Sequence, residues 1–255
     1  MELDYNSLLL AVGFSGVCLA ATLFGSWASA RSEGFMLTWS LGLLLIVANV
    51  VVYSLYIATP TEALAVLTFG LLMAGLSLVY AAAHQFCYNR RPYLRALRAF
   101  APSFAACLLP LALGYDGLAF AVYNLIAGAL LCMSAWVFWA TRQQAPAAVT
   151  VLSALYAVSG VSFVLCAVVI VTNGQFTLGQ APQNWAEYVN IVVSVACMTG
   201  IGALSLSLNQ TRLARRHETE AGTDALSGLM NRRALFDRLE GRRLGSLVAV
   251  LAFDL

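Results

Sequence analysis

Few residues in this chain have the type and placement to do chemistry. The apolar run 247–253 reads as a buried strand, and Asp254 follows at its end. A carboxylate fixed at the end of such a strand is a hard oxygen donor of the kind magnesium prefers. A second group lies in or beside long apolar segments: Tyr123 and Asn124 in one, and Glu187, Tyr188 and Asn190 at the head of another. Amides and carboxylates in hydrocarbon need partners, so these five residues form a candidate sensory pocket. Tyr53, Tyr56, Tyr115, Asp116 and Trp185 lie near the same segment ends. An interfacial aromatic belt accounts well for Tyr56 and Trp185. It does not account for Asn124 and Asn190.

Other chemistries are excluded or poorly supplied. All 14 basic residues are Arg. With no Lys, a Schiff base to retinal cannot form. His84 and His217 are the only imidazoles, and His84 reads as an interfacial hydrogen-bonding residue. Cys18, Cys87, Cys107, Cys132, Cys166 and Cys197 show no C-x-x-C spacing and mostly sit in apolar runs, as small core residues do. Charged groups are nearly absent from the middles of the apolar segments, which argues against a proton-coupled transporter or channel.

The stretch Asp224-Ala225-Leu226-Ser227-Gly228-Leu229-Met230-Asn231-Arg232-Arg233 resembles the opening motif of the GGDEF domain of diguanylate cyclases, D-x-L-T-G-L-x-N-R-R, with Ser227 in place of Thr. The elements after it come in that family's order. Asn231 is a good helix N-cap, and Leu235, Phe236 and Leu239 give an apolar face at helical spacing. Gly241 can end that helix, and the strand 247–253 follows. The resemblance implies that Asp254 binds magnesium with help from the Leu255 carbonyl, and that Leu226 helps wall a guanine pocket. It implies a product, cyclic di-GMP, made with pyrophosphate from two GTP held by two facing domains, hence a homodimer. Arg232 and Arg233 are available to phosphate, though a charge run is more often a solvated face. The sequence stops one residue after Asp254, before the stretch that names the family. The 255-residue chain is therefore expected to be inactive alone, with no catalytic residue of its own. The alternative is a degenerate GGDEF receptor that binds nucleotide or senses without catalysis.

These residues must be positioned by a membrane protein. Hydrophobic residues make up 61% of the chain and charged residues 10%, with mean hydropathy +0.81. A soluble domain has about 45–50% apolar residues and about a quarter charged. A net charge of +2 gives no reason to expect nucleic acid as a partner. Seven segments approach the length that crosses a bilayer, 7–30, 34–57, 63–86, 99–113, 118–141, 147–172 and 185–208. The fourth is the shortest and carries Pro102 and Pro110, so a kink or tilt is expected.

Arginine placement orients the spans. Arg31, the group Arg90, Arg91, Arg95 and Arg98, then Arg142, then Arg212, Arg215 and Arg216 mark every second connection. The connections between them carry no basic residue. The positive-inside rule puts the N-terminus outside and the C-terminus in the cytoplasm of a bacterial inner membrane. Ala28-Ser29-Ala30 looks like a signal-peptide cleavage site. Glu2 and Asp4 precede the run, however, no positive charge does, and the run is too long, so the first span is expected to remain a membrane helix. The basic connection 89–98 reads as a topology determinant resting on anionic lipid headgroups. With no basic residue outside, the expected stimulus is a small neutral or amphiphilic molecule.

The resulting expectation is an all-α polytopic membrane protein of seven transmembrane helices, followed by a stalk helix and the first α/β elements of a GGDEF domain. Residues 1–208 form the sensor module, 209–222 the stalk and 223–255 the domain fragment. The small pairs Gly70/Ala74 and Gly200/Ala203 are candidate surfaces for dimerisation.

Overall fold

The structure is a computed structural model that describes residues 5–29, 31, 33–89, 91–144, 146–222, 229 and 231–239. The helices are α1 (Tyr5–Ser29), α2 (Gly34–Ala58), α3 (Glu62–Tyr88), α4 (Tyr93–Ala112), α5 (Asp116–Ala140), α6 (Pro146–Thr172), α7 (Trp185–Ala221) and α8 (Arg232–Leu239). A turn of 3-10 helix, Arg142–Gln144, joins α5 to α6. The first seven helices are each long and apolar enough to cross a membrane. The chain is a multi-pass membrane protein with seven candidate spans.

The largest departure from the sequence reading is at α4, which begins at Tyr93 rather than at residue 99. Arg95 and Arg98 interrupt the apolar run there without interrupting the helix. Arg98 is exposed, as a long stem with a solvated guanidinium would be, while Arg95 is half-buried and its Nη1 is buried without a hydrogen-bond partner. Pro92 precedes the helix, and its carbonyl accepts the Ala96 amide at 2.9 Å. Pro102 and Pro110 both sit inside α4. At the other end of the chain, α7 runs unbroken for 37 residues, so residues 209–221 continue the seventh span as helix.

The chain divides into two compact units, Met1–Leu206 and Ser207–Leu255. Within the first, polar side chains turn inward. Asn49, Asn124, Ser134, Ser153, Glu187 and Asn190 are buried, while Leu10, Phe14 and Trp136 are each more than two thirds exposed. That arrangement suits a lipid surround, where an apolar exterior costs nothing and helices associate through close packing and hydrogen bonds.

Two helix pairs cross at glycines. A Cβ on Gly42 of α2 would meet the Gly75 carbonyl oxygen of α3 at 2.9 Å, and one on Gly128 of α5 would meet the Gly160 carbonyl oxygen of α6 at 2.7 Å. Buried serines tie neighbouring helices together. The Ser40 hydroxyl donates to the Ala20 carbonyl at 2.9 Å, and the Ser153 hydroxyl to the Ala135 carbonyl at 2.7 Å. Of the glycines read as candidate dimer surfaces, Gly70 lies beside Phe104 and Gly200 beside Leu155. Both are half-buried, and Ala203 is exposed.

The connection between α6 and α7 is pinned to the bundle. Both oxygens of Asp116 accept backbone amides from it, Leu178 at 2.7 Å and Gly179 at 2.6 Å. The Leu118 amide donates to the Phe176 carbonyl at 3.2 Å. Gly174 and Gly179 take φ of 65° and 66°, left-handed values that favour glycine. Ala181 and Pro182 end up buried.

In the second unit, Asn231 caps α8 as its type suggests. Its Oδ1 accepts the Ala234 amide at 3.0 Å, and its Nδ2 donates to the Ala221 carbonyl at 2.6 Å. Leu235 and Phe236 are exposed, with the Arg232 guanidinium 5.8 Å from the Phe236 ring centre. The strand read at 247–253 and the helix stop at Gly241 lie outside the described residues.

Candidate functional site

A cavity of about 170 Å³ opens inside the first unit. Side chains from α1, α2, α3, α5, α6 and α7 line it, together with Pro182 of the α6–α7 connection. None comes from α4. The wall is polar where α1, α5 and α7 begin and α2 ends. Elsewhere it is aliphatic, with Leu43, Leu76, Val79, Leu131 and Ile201.

Glu187 is set by the start of α7. The Asn184 side-chain oxygen accepts the amides of Ala186 at 3.0 Å and Glu187 at 3.2 Å. A capped first turn aims the Glu187 side chain into the bundle, where the residue is 6% exposed. There Asn124 donates to its carboxylate at 3.4 Å. The Cys166 thiol also donates to the carboxylate, and Tyr5, Tyr53 and Tyr123 line the same cavity. Among the described residues no Arg or His lines the cavity.

Asn190 follows three residues later on the same helical face. Its side-chain oxygen accepts the Ser162 hydroxyl of α6 at 2.8 Å. Across the cavity, Asn49 of α2 donates to the Tyr123 hydroxyl at 3.4 Å, and its own oxygen is buried without a hydrogen-bond partner. The Tyr5 and Tyr53 hydroxyls lie 3.5 Å apart. Phe120 anchors an aromatic cluster, with Phe69, Tyr53 and Tyr123 centred 5.1, 6.3 and 6.1 Å from its ring.

The structure thus brings Tyr123, Asn124, Glu187 and Asn190 to one cavity. Tyr188 is elsewhere. It is 39% exposed and meets the Tyr5 ring edge-on at 5.2 Å. Trp185 and Tyr115 are exposed, as belt residues are, while Tyr56 is buried outside the cavity wall. Asp116 serves the loop rather than the cavity. Asn49, Tyr5 and Ser162 did not stand out in the sequence. Asn49 carried the signal that marked Asn124, an amide in an apolar run. Tyr5 stands ahead of the first apolar run, and Ser162 is one of many serines.

His84 is hydrogen-bonded to the Tyr80 hydroxyl at 3.1 Å and packs between the Tyr80 and Tyr88 rings. None of the six cysteines forms a disulfide, and the Cys87 thiol lies 3.2 Å from the Thr141 hydroxyl. Among the described residues no group of three or more His, Cys, Asp or Glu side chains could hold a metal ion. Leu226, Asp254 and Leu255 lie outside the described residues. No family model matches the chain, and no curated protein or solved structure matches it.

Proposed function

We propose that the protein is a membrane sensor whose seven-helix module controls a cytoplasmic diguanylate cyclase domain that begins near Thr223. The observation that carries this reading is the motif from Asp224 to Arg233, which follows directly on the helix that also presents Glu187 and Asn190 to the cavity. A ligand touching those two residues acts on the helix that leads to the motif. Control then requires different affinity for two arrangements of α7, because equal binding shifts nothing.

In this reading the N-terminus is outside and the C-terminus cytoplasmic, as the arginine pattern argues. The Asp254 carboxylate and Leu255 carbonyl are hard oxygen donors and would hold magnesium. The metal would neutralise charge developing on the phosphates during transfer. The protein's own contribution is to hold one GTP per domain and to bring two domains face to face, so a homodimer is part of the proposal.

The test is cyclic di-GMP formation from GTP by the protein carrying a complete cyclase domain. The wild type should make product and Asp254→Ala should make none. Undiminished synthesis by Asp254→Ala sinks the metal assignment. Nucleotide binding without product in the wild type selects the receptor alternative.

A further inference from the structure

We propose that the cavity takes a small primary ammonium, an alkyl- or arylalkylammonium whose charged head lies against Glu187 and Asn49 and whose apolar body fills the aliphatic end. The inference rests on the sensor reading of this cavity and names the ligand class it would sense.

Three independent observations point to a cation that donates hydrogen bonds. First, among the described residues the wall holds a buried carboxylate and no cationic side chain to balance it. Glu187 accepts hydrogen bonds from two neutral groups, the Asn124 amide at 3.4 Å and the Cys166 thiol. The first is at the long end of the range, a thiol is a weak donor, and neither brings a charge. An uncompensated charge in such a place is costly and is normally paired.

Second, the polar atom left over is an acceptor. The Asn49 oxygen has no partner, and Asn49 is 6% exposed on the cavity wall. Buried oxygens without partners are rare enough to need an explanation. A primary ammonium supplies three donors. It could bond this oxygen and the carboxylate together, where a neutral alcohol has one donor to give.

Third, the wall beside these groups is aromatic. Tyr5, Tyr53, Phe120 and Tyr123 all face the cavity. Ring faces attract ammonium groups, most strongly where water is excluded. A metal ion is a poor fit, since magnesium and calcium need six or more oxygens and this wall offers rings and aliphatic carbon beside its few oxygens.

Size limits the class further. A cavity of about 150 Å³ lined by Leu, Ile and Phe accommodates benzene. The 170 Å³ found here therefore suits one ring or a short chain bearing an amine, and excludes a lipid or a peptide.

Phenethylammonium and its neutral counterpart phenethyl alcohol provide the test. Each would be titrated into the full chain in nanodiscs of zwitterionic lipid, with empty nanodiscs as the blank. Saturable binding of phenethylammonium about tenfold or more tighter than that of the alcohol is expected, in keeping with a hydrogen bond to a charged group. Glu187→Gln keeps the size of the side chain and should abolish the preference. Asn49→Leu, on a different helix, should reduce it and serves where Glu187→Gln fails to yield folded protein. Equal binding of the two compounds, no saturable binding of the ammonium, or a preference untouched by either substitution overturns the proposal. Binding is read without nucleotide, so a negative result here leaves the cyclase assignment standing, and a failed cyclase assay leaves the binding result standing.

Discussion

The carboxylate of Asp116 takes two amide protons from a segment more than sixty residues away in sequence. Hydrogen bonds to a charged group contribute about 1.5–3 kcal/mol each, so this one side chain holds the α6–α7 connection in place. Asp116→Ala should free that connection. Amide exchange at Leu178 and Gly179 should rise at least tenfold, and chymotrypsin should cut after Phe176 in the variant and not in the wild type. Unchanged protection would mean that Pro182 burial alone fixes the loop. In the protein carrying a complete cyclase domain, replacing Glu187 and Asn190 together by Ala should alter stimulus-dependent cyclic di-GMP output without lowering the amount of protein in the membrane. An unchanged response removes those residues from sensing. Glu187, Asn124 and Asn190 were legible in the sequence because a carboxylate or amide in an apolar run demands a partner. Asp116 was not, because it stands at a segment end, where a carboxylate needs no explanation, and its partners are backbone groups. Tyr188 stands off the cavity wall, against Tyr5, because a helix start reveals neighbours in sequence but not which face turns inward.

At the scale of elements, six of the seven spans were legible to within a few residues, since each apolar run is long enough to declare itself. The start of α4 was not, because its first turns carry Arg95 and Arg98 and composition alone treats them as connection. The glycine crossings were also hidden. Gly42, Gly75, Gly128 and Gly160 look like any glycine in an apolar run until their partners across the bundle are seen. Gly128→Val should force α5 away from α6, because the added atoms meet the Gly160 carbonyl and Val164. Overpacking of this kind costs about 1–3 kcal/mol, and a lower midpoint of thermal unfolding in detergent is the expected readout. Gly25→Val, where a Cβ meets nothing, is the control and should melt with the wild type. In the second unit, Asn231→Ala removes the acceptor for the Ala234 amide. Loss of an N-cap costs about 1 kcal/mol, which faster amide exchange along α8 would register.

For the whole molecule, the alternating arginines make a test of orientation simple. Alkaline phosphatase fused after Gln180 should be active and fused after Arg95 inactive, and the reverse pattern would invert the topology. Crosslinking in native membranes should trap a parallel homodimer. The weakness of α4 bears on how the protein is made. It has the lowest mean hydropathy of the seven candidate spans, and it carries Arg95, Arg98, Pro102 and Pro110. Insertion into a bilayer is decided residue by residue, with arginine strongly unfavourable and proline disruptive. As the ribosome delivers it, this segment has little reason to leave the translocation channel sideways by its own affinity for lipid. Its neighbours α3 and α5 pack against it in the finished bundle, and α5 emerges later. A nascent chain ending at Leu113 should therefore divide between inserted and uninserted forms, while one extended through Ala140 should settle into one form, as protease protection of the two chains in isolated membranes would report.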